Sequence, residues 1–339
     1  MHPSLLLGVE LPPVPVVAGA TARSEPAAVS LGTDGPRSAA ALASWWSAAR
    51  TAMSLGAGIV WFRGSIDGKY ASCDACTIAA AAIDHVPGAQ LGVVSSVPLE
   101  RHPAMLAREV TALDVVSSGR AAVCLRWVSP DPSGGLRQAG EQFAEAVAVC
   151  GAVLREERPV FEGRHYHVAG AVNRPPPVQS GGLPVFADAS AGGLTVVAAD
   201  EGVGPSALHM MLRAASVVVC SDDAADVASW RGAIEETAVH TRGMPGVNEP
   251  PALVCKTTLD ELAPPPGPGT SAGSGIGDRL RAARDAGADG VIVRIPASRH
   301  MGVVSADPWT TRSGAPMPSD PMPSDFEPAL KARLAPWIR

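Results

Sequence analysis

Helix and strand alternate along this chain, and that alternation narrows its fold more than any other feature. The unit is plainest at His102–Val128, which reads HPAMLAREVTALDVVSSGRAAVCLRWV. Pro103 suits a first helical position, where the backbone has no use for a donor. Met105, Leu106, Val110, Leu113 and Val116 follow at close to i, i+3, i+4, i+7 spacing, which predicts one buried helix face. Gly119 supplies a left-handed stop that a β-carbon would resist. Arg120 then opens AAVCLRWV, an expected buried parallel strand.

The same alternation runs through most of the chain. Strands are expected at Leu5–Leu11, Gly58–Phe62, Gln90–Val97, Leu183–Ala187, Ala252–Thr257 and Val291–Ile295, with a weaker one at Val203–Leu208 and a short apolar run at Val14–Ala18. Helices are expected at Ser38–Ala57, Asp74–His85 with Asp74 as N-cap, Gly140–Arg155, Leu194–Asp200, Ala224–Thr241, Asp278–Ala286 and Asp325–Leu334. After Arg158 the texture changes to a short β-like insert with Phe161, Tyr166 and Val168, followed by a triple proline that must be extended. Strands that alternate with helices pair in parallel through right-handed crossovers. About eight of each predicts one (β/α)8 barrel over 1–339, a TIM barrel with a β insert after its fourth helix; a doubly wound sheet is the alternative. Residues 264–277 (PPPGPGTSAGSGIG) read as a flexible Pro/Gly/Ser-rich loop.

Composition removes several classes of function. A net charge of −6 argues against nucleic acid, which needs a concentrated basic face. No apolar run is long enough to span a bilayer, and the N-terminal MHPSLLLGVELPPV lacks the basic segment of a signal peptide, so the cytoplasm is the expected compartment. Cys124, Cys150, Cys220 and Cys255 sit among apolar residues, as inert core thiols do. Cys73 and Cys76 have no second ligand pair at metal spacing, and no metal site is expected; His165 and His167 alternate on one face without a third ligand.

Two blocks resemble the bacterial luciferase-like flavin-dependent monooxygenase family. The first is Arg101–Arg120, where His102-Pro103 and Leu113, Asp114, Ser117, Gly119 and Arg120 match in order. The second is FEGRHYHVAGAVNRPPPVQSGGLPVFADAS, carried by Phe161, Gly163, Val168, Gly170, Asn173, Pro175, Pro177, Gln179, Pro184 and Val185. The resemblance implies a luciferase-like barrel that uses reduced FMN and O2 on a small organic substrate. The FMN would come from a separate reductase, and pairing of barrels into a homodimer or heterodimer is implied. Deazaflavin F420 as hydride carrier is the alternative cofactor. The family usually has glycines or an asparagine on the fourth strand, where the backbone approaches the flavin; here those positions are about Cys124, Arg126 and Val128. That departure supports another reading, a barrel subunit without flavin.

In barrels the site lies at the carboxyl ends of the strands. Together with the resemblance, this rule nominates Trp61, Ser95, Ser96, Cys124, Arg126, Asp188, Ser190, Gly192 and Gly193 as cofactor-binding residues, with Arg63, Trp127 and Arg294 nearby. The small residues Ala189–Gly193 offer a helix start suited to an anion. Bland roles compete with each nomination: Trp61 as a plug of the barrel mouth, Ser95 and Ser96 as loop caps, Arg126 as an outward-facing residue ion-paired to a helix. His102 is expected to orient its helix start, and Asp114 and Arg120 to tie helix to strand. No catalytic residue is nominated.

Overall fold

The structure is a computed structural model, and it describes residues 6–11, 46, 49–54, 56–64, 74–97, 102–128, 136–180, 182–191, 194, 205–241, 250–258 and 276–294. Eight parallel strands close a barrel: β1 (Leu6–Glu10), β2 (Ile59–Arg63), β3 (Gln90–Val97), β4 (Ala121–Trp127), β7 (Val185–Asp188), β8 (Val217–Ser221), β9 (Ala252–Thr258) and β10 (Gly290–Arg294). β10 returns to pair with β1, Glu10 lying opposite Arg294. The two remaining strands, β5 (Val160–Glu162) and β6 (His167–Ala169), form the expected antiparallel insert after helix Leu136–Arg155. The expectation of a (β/α)8 TIM barrel with a short β insert therefore holds.

Several boundaries move. Of the strand expected at Val203–Leu208, the described residues 205–208 are helical, the start of helix Pro205–Ala214, and the sixth barrel strand is the unpredicted Val217–Ser221. Buried Met211 and Leu212 follow the helical period, whereas VVVC is a β-branched run too short for a helix. Helix Ile276–Asp285 takes in the last residues of the expected loop. Val14–Ala18, the helix at Asp325–Leu334 and most of 264–277 lie outside the described residues, as do Gly192 and Gly193.

The helix Pro103–Val116 forms as predicted, with His102 as N-cap: its Nδ1 accepts from Ala104 N–H at 3.2 Å. Its buried face is Leu106, Ala107, Val110, Leu113 and Asp114; Met105 and Val116, expected inside, are exposed. Asp114 rather than Val116 completes the face because its carboxylate is a hub. Oδ1 accepts from Ala121 N–H and from the Gln179 amide, and Oδ2 accepts from Val178 N–H at 2.7 Å. Arg120 donates to the carbonyls of Ile83, Val86 and Ala89. Gly119, at φ +82°, allows the chain to turn between these two anchors.

Two apolar layers result. One lies between strands and helices and holds Phe62, Trp127, Phe143 and Trp230. The other fills the barrel itself, with Ile59, Trp61, Val94, Ala122, Cys124, Phe186, Val217, Val219, Val254 and Ile292. Trp61 lies edge-on to Phe186, their ring centroids 4.6 Å apart. Its indole covers Gly92 on the neighbouring strand so closely that a β-carbon there would stand 2.0 Å from a ring atom. Gly92 is thus the space that the tryptophan occupies. Gly92→Ala should cost about 1–3 kcal/mol in urea denaturation, as overpacked interiors do. The cost should shrink when Trp61→Leu is already present; additive costs would show that the indole moves aside freely.

Candidate functional site

Side chains of a strand alternate between its faces. The barrel interior is marked by Ile59 and Trp61, Val94, Cys124, Phe186, Val219, Val254 and Ile292. Two residues on toward the carboxyl end of each strand, the inward positions are Arg63, Ser96, Arg126, Asp188, Ser221, Lys256 and Arg294. Glu10 takes the same place on β1, because Val9 faces the outer layer. One residue per strand thus rims the mouth, and six of the eight are ionisable.

Four of them form a closed ring. Arg126 donates through Nε to Asp188 at 2.8 Å and through Nη2 to Glu10 at 2.6 Å. Lys256 Nζ lies 2.7 Å from Asp188 and 2.5 Å from Glu10. All four side chains are at least nine-tenths buried. Burial by itself would raise the carboxyl groups, but Arg126 and Lys256 outweigh it and hold both Glu10 and Asp188 below the usual range. Burial would also weaken the charge on Arg126, yet Glu10 and Asp188 raise its pKa further. Cys124, under this ring, is driven up by burial first and by Asp188 second, so its thiol stays protonated.

The nominated residues divide accordingly. Ser96, Arg126 and Asp188 stand side by side at one level on β3, β4 and β7. Ser96 is exposed at the mouth, whereas Ser95 lies on the opposite face of β3 with the outward-facing Val93 and Val97. Arg126 does not face outward to a helix, as its most economical reading had it; two acids inside the barrel pull it across the axis. Asp188 turns the chain at the strand exit, Oδ1 accepting from Ser190 N–H at 3.0 Å and from Ser190 Oγ at 2.5 Å. Trp61 and Cys124 are buried below, part of the barrel filling. Trp127 faces the outer layer.

Sequence reasoning missed Glu10 and Lys256. The signal was present: LLGVE, CLRW, VFAD and VCKT each end an apolar run with a charge on the inward parity. The ring's contacts join residues 62 to 246 positions apart in the chain, so no local pattern links them. Among the described residues, no group of three or more His, Cys, Asp and Glu is arranged to hold a metal ion, and no helix is long and apolar enough to cross a membrane.

Replacing one member of the ring leaves a buried charge without its counter-charge, which costs about 3–5 kcal/mol. Asp188→Asn should show a loss of that size in urea denaturation at pH 7. Both carboxyl groups titrate lower in the fold than in the unfolded chain. Their contribution is therefore fully present above the ordinary carboxylate range and is lost as pH falls below it. The acid limb of the stability curve should be flatter in Asp188→Asn; an unchanged limb would mean that Asp188 is not held ionised.

Residues 26–250, well over half of the chain, match the model of a family described as luciferase-like monooxygenase. The barrel closes beyond that segment, with β9 and β10. A monooxygenase, RslO1, from Streptomyces bottropensis is similar at 18% identity and a TM-score of 0.55, over 86% of this chain and 92% of that one. The EDTA monooxygenase EmoA from Chelativorans sp. BNC1 is similar at 14% identity and a TM-score of 0.53, over 86% and 89%. At these identities the likeness concerns the fold. No curated protein matches the sequence.

Proposed function

We propose that this chain, which belongs to the luciferase-like monooxygenase family, is an oxidoreductase that takes reduced FMN from a separate reductase and acts with O2 on a small organic substrate. The observation that carries the proposal is the convergence of Ser96, Arg126 and Asp188 at one level of the barrel mouth, where a barrel does its chemistry.

The donor set fits an anionic, planar cofactor in charge and in shape. Arg126 spends Nε and Nη2 on the ring, and its Nη1 has no hydrogen bond among the described residues. That amino group and the exposed Ser96 hydroxyl are the donors at hand on this side of the mouth. Arg126 is drawn across the axis, so it makes a floor at the point where an upright arginine would be an obstacle. Bound there, reduced FMN would supply the electrons for oxygen activation, and the protein's part is to hold and orient it. The Trp61–Phe186 layer beneath is packed and excludes water from below. F420 is the alternative cofactor, since the same donors suit any anionic flavin analogue.

A specific observation favours a second reading, that of a barrel subunit without cofactor. Ser190 commits both its N–H and its hydroxyl to Asp188, so the turn after β7 keeps fewer donors for a phosphate. Fluorescence titration of the purified protein with FMN, FMN reduced anaerobically and F420 separates the two. The oxidoreductase reading expects saturable binding of one of the three, weakened about tenfold or more in Ser96→Ala/Arg126→Met, which removes both donors. Failure of all three to bind would leave the second reading standing.

A further inference from the structure

The Glu10 carboxylate is used unequally. Its Oε2 is shared by Arg126 and Lys256, at 2.6 and 2.5 Å. Its Oε1 is buried and has no hydrogen-bond partner among the described residues. Arg294, opposite Glu10 on β10, brings its Nε to 3.9 Å from Oε1, too far for a hydrogen bond. The Arg294 side chain is 41% exposed, and no hydrogen bond of its guanidinium is found among the described residues. An acceptor without a hydrogen bond and a guanidinium joined to it only by a long ion pair therefore stand together on the β1–β10 side of the mouth.

Charge arithmetic narrows what they receive. Arg126 and Lys256 cancel Glu10 and Asp188 within the ring. Arg63 and Arg294 are the rim cations outside that balance, and of the two it is Arg294 that stands beside Oε1, its Nε 3.9 Å away. Its fork of donors matches the two oxygens of a carboxylate or sulfonate. Oε1 needs the opposite kind of group, an N–H or O–H donor, because a buried carboxylate oxygen left unmet is costly.

We propose that Arg294 and Glu10 Oε1 form a receptor for a small molecule that carries a singly charged carboxylate or sulfonate beside an N–H or O–H donor. The anion pairs with Arg294, and the donor goes to Oε1. This names the substrate class of the mouth and rests on the oxidoreductase reading above. Glu10 belongs to the ring and cannot be changed without disturbing it, so Arg294 is the residue to vary.

The test uses three probes of similar size in ligand-observed NMR titrations: 2-hydroxyhexanoate, with both groups; hexanoate, with the anion alone; and 1,2-hexanediol, with donors alone. Wild type should bind 2-hydroxyhexanoate about tenfold more tightly than either of the others. Arg294→Gln should erase the preference over the diol, and Arg294→Lys should restore part of it, with thermal melts close to wild type for both. Equal binding of the three probes, or an Arg294→Gln protein that discriminates like wild type, would overturn the receptor. Titrations with FMN, reduced FMN and F420 on the same samples keep the two proposals apart. Flavin binding without probe discrimination removes the receptor alone, whereas discrimination without any flavin or F420 binding keeps the receptor and removes the oxidoreductase reading.

Discussion

Four charges that meet inside the barrel are the constraint on which the rest of the mouth depends. Glu10, Arg126, Asp188 and Lys256 come from β1, β4, β7 and β9, and each carboxylate touches both cations. Removing four ions from water is expensive, and only close, alternating contacts recover the expense. The ring therefore says little about net stability and a great deal about register. A slip of one residue in any of these strands would turn its charge outward and leave the other three unbalanced. The links also run between strands that are not neighbours: β1 to β4, β7 to β9 and β9 to β1. They brace the barrel across its axis, where the backbone ladders cannot.

The apolar filling beneath follows from the same geometry. A narrow barrel has little room, and Trp61 finds it only because β3 carries a glycine beside it. The indole nitrogen has no hydrogen-bond partner among the described residues, and packing holds the ring. Its place under the charged layer separates two environments within two residues of strand, dry below and polar above. Cys124 lies at that boundary, and its burial close to Asp188 is what keeps the thiol inert.

How much of this was legible in the sequence depends on how far apart the interacting residues lie. The helix–stop–strand unit at His102–Val128 is local, and its N-cap and glycine turn appear where the pattern places them. The two blocks that carry the family resemblance turn out to touch: Asp114 of the first accepts from the Gln179 amide and from Val178 N–H of the second. Those residues sit at the amino end of β4, the end of a barrel associated with stability rather than chemistry. The family is therefore readable from a scaffold joint, and the joint says nothing of the site. The ring escaped because each of its members, seen alone, is an ordinary strand-end charge. Val217–Ser221 escaped for the opposite reason: an apolar stretch so short that nothing marked it between the segments read on either side.

That separation explains how a luciferase-like barrel can keep its fold and change its mouth. The Asp114–Gln179 joint and the Asn173 amide, bonded to Thr111 and the Val153 carbonyl, lie away from the charged ring and do not constrain it. A large cation at the Arg126 position is tolerable only if two acids accept it, and two acids in a dry barrel need a second cation. Glu10, Asp188 and Lys256 are thus coupled to Arg126 by electrostatics, and a change at any one of the four would force change at the others. Arg294 stands outside that closed account. It is inward-facing, half-exposed and joined to Glu10 only by a long ion pair, so it can change without breaking the ring. Discrimination among small anions belongs on such a residue, since it can be altered while the floor beneath it stays intact.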